Sequence, residues 1–503
     1  MGYVLGLDNG GTSTKAVLFD TSGRQVASAK RQTAMSTPRP GFTERDMEEL
    51  WAMNCQVIRE TVASSGVDPA DILGVSFSGH GKGLYLWGKD GKPARPGIVS
   101  TDSRAQQVVE DWQRQGVTEK AFARTCQSVL PSQPVALLKW IKENEPQVLD
   151  NTRWVFGVKD YIRFRMTGEA RGEITDLSGS SLVNLRTAAY DPALLTLFGL
   201  EEIQDKLPPL CYSSEFCGQV TAECAQLTGL KAGTPVAAGL FDIDACAIGM
   251  DVEDESCLAV IAGTWSINEY IARQPVLDGT VKMNSLYCLR DYYLVEECSP
   301  TSASNQEWFV NAFLREYAQA QGQGLYEAAN ALMAQVGPQG QRLVYLPYLY
   351  GSRDDGRARG AFVGMDASTT REQMLRAVYE SVVFGHKLHV DKLLASRAQP
   401  PQAVRLAGGV VNCPLWVQMF ADILELPVVT IDVKELGALG AAMTAAVAAG
   451  AYSDLRQAAQ AMVLPDRTYQ PDPRHRQLYR DKYAQFLAVD KALSGVWAQL
   501  GGE

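Results

Sequence analysis

Apolar and polar positions along this chain follow two alternating patterns, one with a period of two and one with a helical period. Two short apolar runs, at residues 3–7 and 16–19, flank a turn of glycine and hydroxyl residues, which predicts a β-hairpin. A helix-spaced apolar pattern follows over residues 46–63. A continuous apolar run at residues 72–77 then predicts a buried strand. The first part of the chain therefore has an α/β pattern.

The second half of the chain repeats this order. An apolar strand at residues 258–262 ends in Gly263-Thr264-Trp265-Ser266. As in the first hairpin, a strand is followed by glycine and hydroxyl residues, although the two sequences differ. Further patterns predict helices over 305–318, 324–335, 370–394, 416–424 and 437–449, and strands at 343–347, 404–407 and 428–430. Strands that alternate with helices twice over predict two α/β domains, which we divide at residue 250.

Length, charge and cysteine usage narrow the class of protein. The chain has 503 residues, of which 46% are hydrophobic, so it is too long for one ordinary core. A net charge of −10 disfavours nucleic-acid partners. No signal-peptide pattern and no stretch long enough to span a membrane is visible, which predicts a cytoplasmic protein. Ten cysteines without a Cys-x-x-Cys pair, and four histidines without zinc spacing, predict reduced thiols and no zinc site.

The turn of the first hairpin is the first candidate for chemistry. Its backbone N–H groups and hydroxyls, from Gly10 to Thr14, can hold an anion such as a phosphate. Asp8 at the end of the preceding strand suits Mg²⁺, which prefers one or two carboxylates together with phosphate oxygens and water. The spacing is not that of a Walker loop. A tight structural turn with a solvated Asp8 is the alternative interpretation.

Three further segments make the interpretation specific. Residues 360–365, Gly-Ala-Phe-Val-Gly-Met, are followed after seven residues by Gln-Met-Leu-Arg-Ala-Val-Tyr-Glu at 373–380. Residues 407–412, with Glu-Leu-Gly-Ala-Leu-Gly at 435–440, form the second segment, and residues 238–249 form the third. In this order they resemble the second signature, the adenosine-binding stretch and the catalytic-aspartate segment of the FGGY family of carbohydrate kinases. The family's first signature, at 132–144, is imperfect because Leu137 stands where a lysine is expected.

The resemblance covers the whole chain and implies a fold. It implies two actin-like (ribonuclease H-like) α/β ATPase domains with a cleft between them. Residues 1–250 would form the sugar-binding side and residues 251–503 the nucleotide-binding side. It also implies ATP and Mg²⁺ as cofactors, a small-molecule sugar as substrate and, as a family-level expectation, a homodimer.

The family's catalytic carboxylate corresponds to Asp242. A sugar hydroxyl must lose its proton as it attacks the γ-phosphorus of ATP, and a carboxylate within hydrogen-bond reach can accept that proton. The alternative interpretation is a helix N-cap, a position that favours aspartate. Asp244, two residues further on, is the rival carboxylate, and only the motif alignment favours Asp242.

Sugar contacts are expected in the loop after the buried strand. His80, Gly81 and Lys82 resemble the substrate loop of bacterial xylulose kinases of the L-xylulose (3-keto-L-gulonate) branch. Asp102 lies in a segment similar to the family's Trp-x-Asp-x-Arg stretch, with Ser100 in place of the tryptophan. Two roles stay open for Asp102, namely binding sugar hydroxyls or forming an ion pair with Arg104.

Nucleotide contacts are expected in both halves of the chain. In the first half the resemblance assigns the ATP phosphates to Gly10, Gly11, Thr12, Ser13 and Lys15, with Asp8 near Mg²⁺. In the second half it assigns the nucleotide to Thr264, Gly408, Gly409 and Asn412. The two glycines of the second half would let the backbone approach the base and ribose closely.

These observations predict ATP-dependent phosphorylation of a ketose, such as a xylulose-like ketopentose, at its terminal hydroxyl. A kinase for another ketose or polyol, such as D-ribulose, is the first alternative. A nucleotide-dependent regulator with an actin-like fold and no catalysis is the second. The pairing of Asp242 with the loop at His80 argues against that regulator, which would have no use for either.

Overall fold

A computed structural model of the protein describes residues 2–340, 342–353, 355–431 and 433–500. Its strands are β1 (Tyr3–Asn9), β2 (Ser13–Asp20), β3 (Gln25–Gln32), β4 (Glu44–Arg45), β5 (Ile72–Gly79), β6 (Tyr85–Gly88), β7 (Gly97–Ile98), β8 (Thr152–Phe156), β9 (Gly172–Glu173), β10 (Val183–Asn184), β11 (Ala189–Tyr190), β12 (Leu210–Cys211), β13 (Phe216–Gln219), β14 (Pro235–Ala237), β15 (Leu240–Phe241), β16 (Cys257–Ala262), β17 (Ser266–Ala272), β18 (Asn284–Leu286), β19 (Tyr293–Ser299), β20 (Val344–Leu346), β21 (Ala361–Val363), β22 (Ala403–Ala407), β23 (Val428–Ile431) and β24 (Pro465–Tyr469).

Its α-helices are α1 (Met47–Ser65), α2 (Gln106–Arg114), α3 (Val117–Thr125), α4 (Pro134–Asn144), α5 (Pro146–Asn151), α6 (Val158–Thr167), α7 (Ile174–Ser178), α8 (Pro192–Phe198), α9 (Ala222–Thr228), α10 (Asp242–Gly249), α11 (Ser304–Phe313), α12 (Arg315–Gln321), α13 (Leu325–Ala334), α14 (Arg371–Ala395), α15 (Pro414–Leu424), α16 (Leu436–Ala448), α17 (Leu455–Met462), α18 (Arg476–Leu493) and α19 (Trp497–Leu500). Short 3-10 helices occupy Pro69–Asp71, Glu201–Lys206 and Gly409–Asn412. No described helix is both long and apolar enough to cross a bilayer.

The chain forms two compact units, each assembled from separate segments. The first unit contains Met1–Glu253, Ile271–Leu294 and Val433–Leu464, and the second contains Asp254–Tyr270, Val295–Asp432 and Pro465–Glu503. The helix predicted over 437–449 is α16, and it belongs to the first unit. The assignment of the sugar to residues 1–250 and of the nucleotide to residues 251–503 stays a prediction.

The sheet of the first unit is built around the N-terminal hairpin. β1 and β2 pair antiparallel with Asp8 opposite Lys15, so the predicted hairpin is confirmed. Neighbouring strands follow the order β13-β14-β5-β1-β2-β3, and β15 pairs with β5 beside β14. β1, β14 and β15 all run parallel to β5. β5 is buried along most of its length, as its continuous apolar run predicts for a strand covered on both faces.

The sheet of the second unit repeats this plan. Neighbouring strands follow the order β19-β17-β16-β22-β23-β24. β16 pairs antiparallel with β17 and parallel with β22, as β1 pairs with β2 and β5 in the first unit. Two sheets with the same hairpin-then-parallel order account for the repeated sequence pattern. The predicted α/β class is confirmed.

Helix α16 packs closely on the sheet of the first unit because glycines face it. A Cβ on Gly6 of β1 would lie 1.9 Å from the carbonyl oxygen of Ala438. A Cβ on Gly440 would lie 2.2 Å from the carbonyl oxygen of Ala245 in α10. Both distances are shorter than any contact that a real Cβ makes, so only glycine permits this approach. The packing brings the start of α16 next to the end of β1.

Candidate active site

Strands β1, β5 and β15 of the first unit run parallel and end at one edge of the sheet. The candidate catalytic and binding residues lie at these strand ends or directly after them. Asp8 of β1 and Leu240 of β15 both lie in register with Ser78 of β5. The loop that begins at His80 follows β5, and Asp242 follows β15. Because ligands of α/β proteins bind outside the carboxyl ends of parallel strands, this edge is the candidate active site.

The turn between β1 and β2 has an open, fixed backbone. Gly10 N–H donates to the carbonyl oxygen of Ser13 at 3.0 Å, and the Arg45 guanidinium donates to the carbonyl of Gly11. A Cβ built on Gly11 would meet nothing within 4 Å, so the space beside this backbone is free. These are the properties of a loop whose amides hold an anion.

Asp8 lies beside this turn in a network of charges. Ser78 Oγ donates to Asp8 Oδ1 at 2.8 Å, and Lys15 Nζ lies 3.9 Å from Asp8 Oδ2. Burial raises the pKa of Asp8, and the charge of Lys15 together with the Ser78 bond opposes this rise. Lys15 also donates to Glu435 at 2.6 Å, a residue 420 positions along the chain at the start of α16. The network therefore joins one ammonium and two carboxylates in the strands and helix beside the turn.

The two candidate carboxylates of α10 have different environments. Asp244 is fully buried, and its Oδ1 accepts from the backbone N–H of Cys288 at 3.0 Å. Burial raises the pKa of Asp244 well above its usual value. Asp242 is partly exposed at the first position of the helix. The N-cap position is Phe241, so the alternative interpretation of Asp242 as the N-cap is wrong.

The loop after β5 places its three predicted sugar residues in different settings. His80 is 5% exposed, with Nδ1 3.2 Å from the Gly81 carbonyl and Nε2 3.2 Å from the Tyr85 hydroxyl. A carbonyl only accepts, so Nδ1 carries the proton and Nε2 accepts from Tyr85. Burial, aided by the charge of Arg45, lowers the pKa of His80 to about 4. Lys82 is partly exposed and has a positive φ of 63°.

Asp102 forms the ion pair that was one of its two predicted roles. Its Oδ1 and Oδ2 accept from Arg104 at 2.9 and 2.8 Å, and Oδ2 also accepts from the backbone N–H of Thr43 at 2.7 Å. The side chains of Asp102 and Arg104 are both buried, and Glu44 extends the cluster through a 2.8 Å contact to Arg104. Contact of Asp102 with a sugar stays a prediction.

The predicted nucleotide residues of the second unit come together in one pocket. Thr264, Gly409 and Asn412 line a cavity of about 560 Å³. Gly408 lies directly beside it with a φ of 100°, and a Cβ there would lie 2.2 Å from the carbonyl oxygen of Ala262. The position therefore requires glycine, and the pocket wall depends on it.

Several lining residues of the pocket are absent from the sequence-based prediction. Gln306, Tyr326 and Asn330 reach it from α11 and α13. The Tyr379 hydroxyl holds two of them, because it accepts from Gln306 at 2.7 Å and donates to Asn330 at 2.8 Å. No local motif marks these residues, since they come from helices whose pattern indicates only core packing.

Two residues at the edge in the first unit were also missed as site residues. Arg45 is 3% exposed, and its guanidinium donates to the Gly11 carbonyl. Glu435 forms the ion pair with Lys15, and sequence separation hides that contact.

A magnesium ion is compatible with the donors at this edge. The described residues contain no cluster of three or more histidine, cysteine or carboxylate side chains arranged to hold a metal. Mg²⁺ does not need such a cage, because it is commonly bound by one or two carboxylates, substrate phosphates and water. The Asp8 carboxylate, beside the open turn at Gly11, fits that role.

Comparisons with known proteins show the family of this chain and confirm the predicted actin-like fold. The N-terminal domain of the FGGY family of carbohydrate kinases matches residues 3–249, and its C-terminal domain matches residues 258–449. The L-xylulose/3-keto-L-gulonate kinase of Escherichia coli K12 is 38% identical over 99% of this chain and 98% of its own. The probable L-xylulose kinase of Pasteurella multocida is 36% identical over 99% of this chain and all of its own.

A solved structure, the xylulose kinase from Rhodospirillum rubrum, superposes with a TM-score of 0.87 at 28% identity. The alignment covers 99% of this chain and 100% of that structure. The chain belongs to the FGGY family of carbohydrate kinases.

Proposed function

We propose that this chain transfers the γ-phosphoryl group of ATP to the terminal hydroxyl of a ketose, giving the sugar phosphate and ADP. The observation that carries the proposal is the position of Asp242. It is a partly exposed carboxylate directly after β15, at the same sheet edge as the turn at Gly10–Ser13 and the loop at His80. The names of the relatives with 36–38% identity, L-xylulose and 3-keto-L-gulonate kinases, support a ketose as substrate.

In the proposed reaction Asp242 is the general base. Its carboxylate accepts the proton of the terminal hydroxyl as the hydroxyl oxygen attacks the γ-phosphorus, and the bond from that phosphorus to the bridging oxygen of ADP breaks. Asp244 is not assigned this role because its carboxyl is fully buried and its Oδ1 accepts from the backbone N–H of Cys288. The proton therefore moves to the only one of the two carboxylates of α10 that solvent and substrate can reach.

The phosphates of ATP are assigned to the turn and to Lys15. The amides of Gly10, Gly11, Thr12 and Ser13 would donate to phosphate oxygens, and the Lys15 ammonium would exchange part of its contact with Glu435 for a phosphate. Asp8 would hold Mg²⁺, which when bound neutralises charge on the phosphates. In the second unit, Thr264, Gly408, Gly409 and Asn412 are assigned to the nucleotide, in and beside the 560 Å³ pocket.

Sugar contacts are assigned to the loop after β5. Lys82 is partly exposed and can donate to a sugar hydroxyl or carboxylate, and Gly81 lets the loop backbone pack directly against the ring of Phe241. His80 would shape the loop through Tyr85 unless a sugar hydroxyl replaces one of its two partners. Asp102 is retained as a candidate that would act through its contact with Thr43. A cytoplasmic location and a homodimer stay predictions.

An ADP-release assay tests the proposal. The purified protein is given ATP and Mg²⁺ with L-xylulose, D-xylulose, D-ribulose, 3-keto-L-gulonate or glycerol, one at a time. We expect release that depends on a ketose and exceeds the sugar-free rate by about a hundredfold or more, since water is a poor acceptor in a site built for a sugar. A preference for D-ribulose would redirect the substrate to another ketose, and a preference for glycerol would redirect it to a polyol. Release that no sugar changes would refute the proposal and favour a regulator.

A further inference from the structure

A series of buried hydrogen bonds starts at Phe241, the residue before Asp242. The backbone N–H of Phe241 donates to Thr175 Oγ1 at 2.9 Å. Thr175 Oγ1 donates in turn to Glu173 Oε2 at 2.8 Å. Thr175 and Glu173 are fully buried, so no water competes for these bonds. The first turn of α7 is thereby tied to the strand that delivers Asp242.

A buried cluster of charged side chains surrounds Glu173, the last residue in this series of hydrogen bonds. Lys159 Nζ lies 3.2 Å from Glu173 Oε2 and 3.2 Å from Asp176 Oδ2, and Arg163 pairs with Asp160 at 2.8 Å. Taking so many charges out of water costs more free energy than apolar packing of the same volume. Hydrogen-bonded polar networks do, however, hold a single geometry, and in this cluster Arg163 Nε is the one buried guanidinium nitrogen without a partner. Stability alone therefore does not account for the cluster.

The same cluster also holds the start of the segment that leads to Asp242. Arg163 Nη1 donates to the carbonyl of Ala238 at 2.5 Å. Gly239 N–H donates to the carbonyl of Ser213 at 3.1 Å, and Ser213 Oγ donates to Glu173 Oε1 at 2.8 Å. Gly239 has a φ of 91°, and a Cβ there would lie 2.5 Å from the carbonyl oxygen of Phe77. Residues 238–241 thus have their backbone fixed at both ends.

We propose that Thr175 is a positioning residue for the reaction: its hydroxyl, held by Glu173, fixes the backbone at Phe241 and so sets the place of the Asp242 carboxylate. The inference rests on the proposed role of Asp242 as the base. Thr175 is fully buried. It acts through one backbone N–H.

The physical reason is the narrow tolerance of proton transfer. A general base must lie within hydrogen-bond reach of the proton it accepts, and a displacement of 1 Å can reduce the rate by about a hundredfold. Asp242 lacks a capping side chain at the residue before it, because the N-cap of α10 is Phe241. The Thr175 hydroxyl, which belongs to α7, restrains the backbone at Phe241 in place of a capping side chain.

Replacement of Thr175 by residues of similar size tests this role. Thr175→Val keeps the branched shape and removes the hydroxyl, which leaves the Phe241 N–H and Glu173 Oε2 without that partner. Thr175→Ser keeps the hydroxyl. We expect kcat to fall about thirtyfold in Thr175→Val, which is less than the loss of about a hundredfold that a displacement of 1 Å can cause. The KM values for ATP and for the ketose should stay within about threefold of wild type.

Rescue by serine separates positioning from general support of the fold. We expect Thr175→Ser to recover kcat to within about threefold of wild type. Equal losses in the valine and serine variants, or a valine variant with unchanged kcat, would overturn the proposal. If Thr175→Val does not fold by circular dichroism, Thr175→Ala replaces it, with the same expected loss of kcat and the same contradicting results.

Failure of this inference differs from failure of the proposed function. The proposed function fails if wild type shows no sugar-dependent ADP release, or if Asp242→Asn keeps its activity. The inference alone fails if wild type and Asp242→Asn behave as proposed while Thr175→Val keeps a normal kcat. All variants are measured in the full chain at saturating ATP and ketose.

Discussion

Gly81 of the loop after β5 lies directly against the ring of Phe241, the residue before Asp242. A Cβ on Gly81 would come within 2.4 Å of Phe241 Cε2, which no packed side chain tolerates. Backbone pairing of Phe241 with Gly79 brings the two segments side by side. The loop that carries the predicted sugar residues and the strand that carries the candidate base are therefore one packed unit.

Gly81→Ala should disturb this contact. The new methyl group overpacks the ring, which costs about 1–3 kcal/mol, and we expect the ketose kcat/KM to fall by about tenfold. The dissociation constant of ATP should not change. Gly337→Ala serves as control, because a Cβ there meets nothing within 4 Å. A double variant with Phe241→Leu should regain part of the loss; additive losses would show that the two residues do not act through their contact.

Lys15 should contribute to the binding of ATP. Lys15→Met removes an ammonium beside the open turn, and a charge-assisted hydrogen bond to phosphate contributes about 1.5–3 kcal/mol. We therefore expect kcat/KM for ATP to fall by about 10- to 100-fold. Lys30→Met is the matched control, since Lys30 lies opposite Lys15 in the neighbouring strand and is exposed. Equal effects of the two substitutions would remove Lys15 from the phosphate site.

Alanine substitutions at Gly408 and Gly409 should have different effects on stability and on ATP binding. Gly408→Ala forces a Cβ against the Ala262 carbonyl at a positive φ, so we expect a lower thermal unfolding temperature together with weaker ATP binding. Gly409→Ala meets no atom within 4 Å and lines the pocket. It should raise KM for ATP without changing the unfolding temperature. Calorimetry and initial rates on both variants check this, and identical behaviour would contradict it.

Buried histidines should make stability depend on pH. Burial lowers the pKa of His80 to about 4 and that of His386 to about 3, while an unfolded histidine titrates near about 6.5. Below that value the unfolded chain binds more protons, so stability is lost as pH falls. The slope is at most about 1.4 kcal/mol per pH unit for each histidine.

His386 provides the cleaner measurement because it belongs to the second unit and lies outside the edge of β1, β5 and β15. Its Nε2 lies 2.7 Å from Ser302 Oγ and its Nδ1 2.7 Å from Asn268 Oδ1, so a neutral ring satisfies both partners. We expect the urea midpoint to drop between about pH 7.5 and pH 5.5, and to drop less in His386→Gln. An equal drop in both proteins would show that His386 does not titrate as inferred.

The hairpins, the buried strands and six helical segments, which correspond to α1 and α11–α16, follow from local pattern. The run at 72–77 predicts β5, and Asp46 together with the helical spacing after it predicts α1, whose N-cap is Asp46. The repeated hairpin predicts the second sheet. These features depend on residues that are close together in the sequence, so a single sequence is enough to predict them. Membership in the FGGY family, predicted from three motifs, is confirmed.

The finer features of the site depend on contacts that are distant in sequence. Asp242 and Asp244 are two residues apart and chemically identical, and only the packing of α10 shows that Asp244 is the buried one. Glu435 meets Lys15 across 420 positions. His80 has both ring nitrogens engaged within its own loop and β6, which a strand-end histidine does not reveal. Burial and long-range pairing are properties of the fold rather than of residue type.

Asp242→Asn, compared with Asp244→Asn, tests the central claim most directly. Both substitutions replace a carboxyl by an amide of the same shape, and only Asp242 is proposed to accept a proton. We expect Asp242→Asn to lower kcat for the best ketose by about 10³-fold with ATP affinity retained, and Asp244→Asn to keep kcat within about fivefold of wild type. An Asp242→Asn enzyme with more than about a tenth of normal kcat, or equal losses in the two variants, would contradict the assignment of Asp242 as the base.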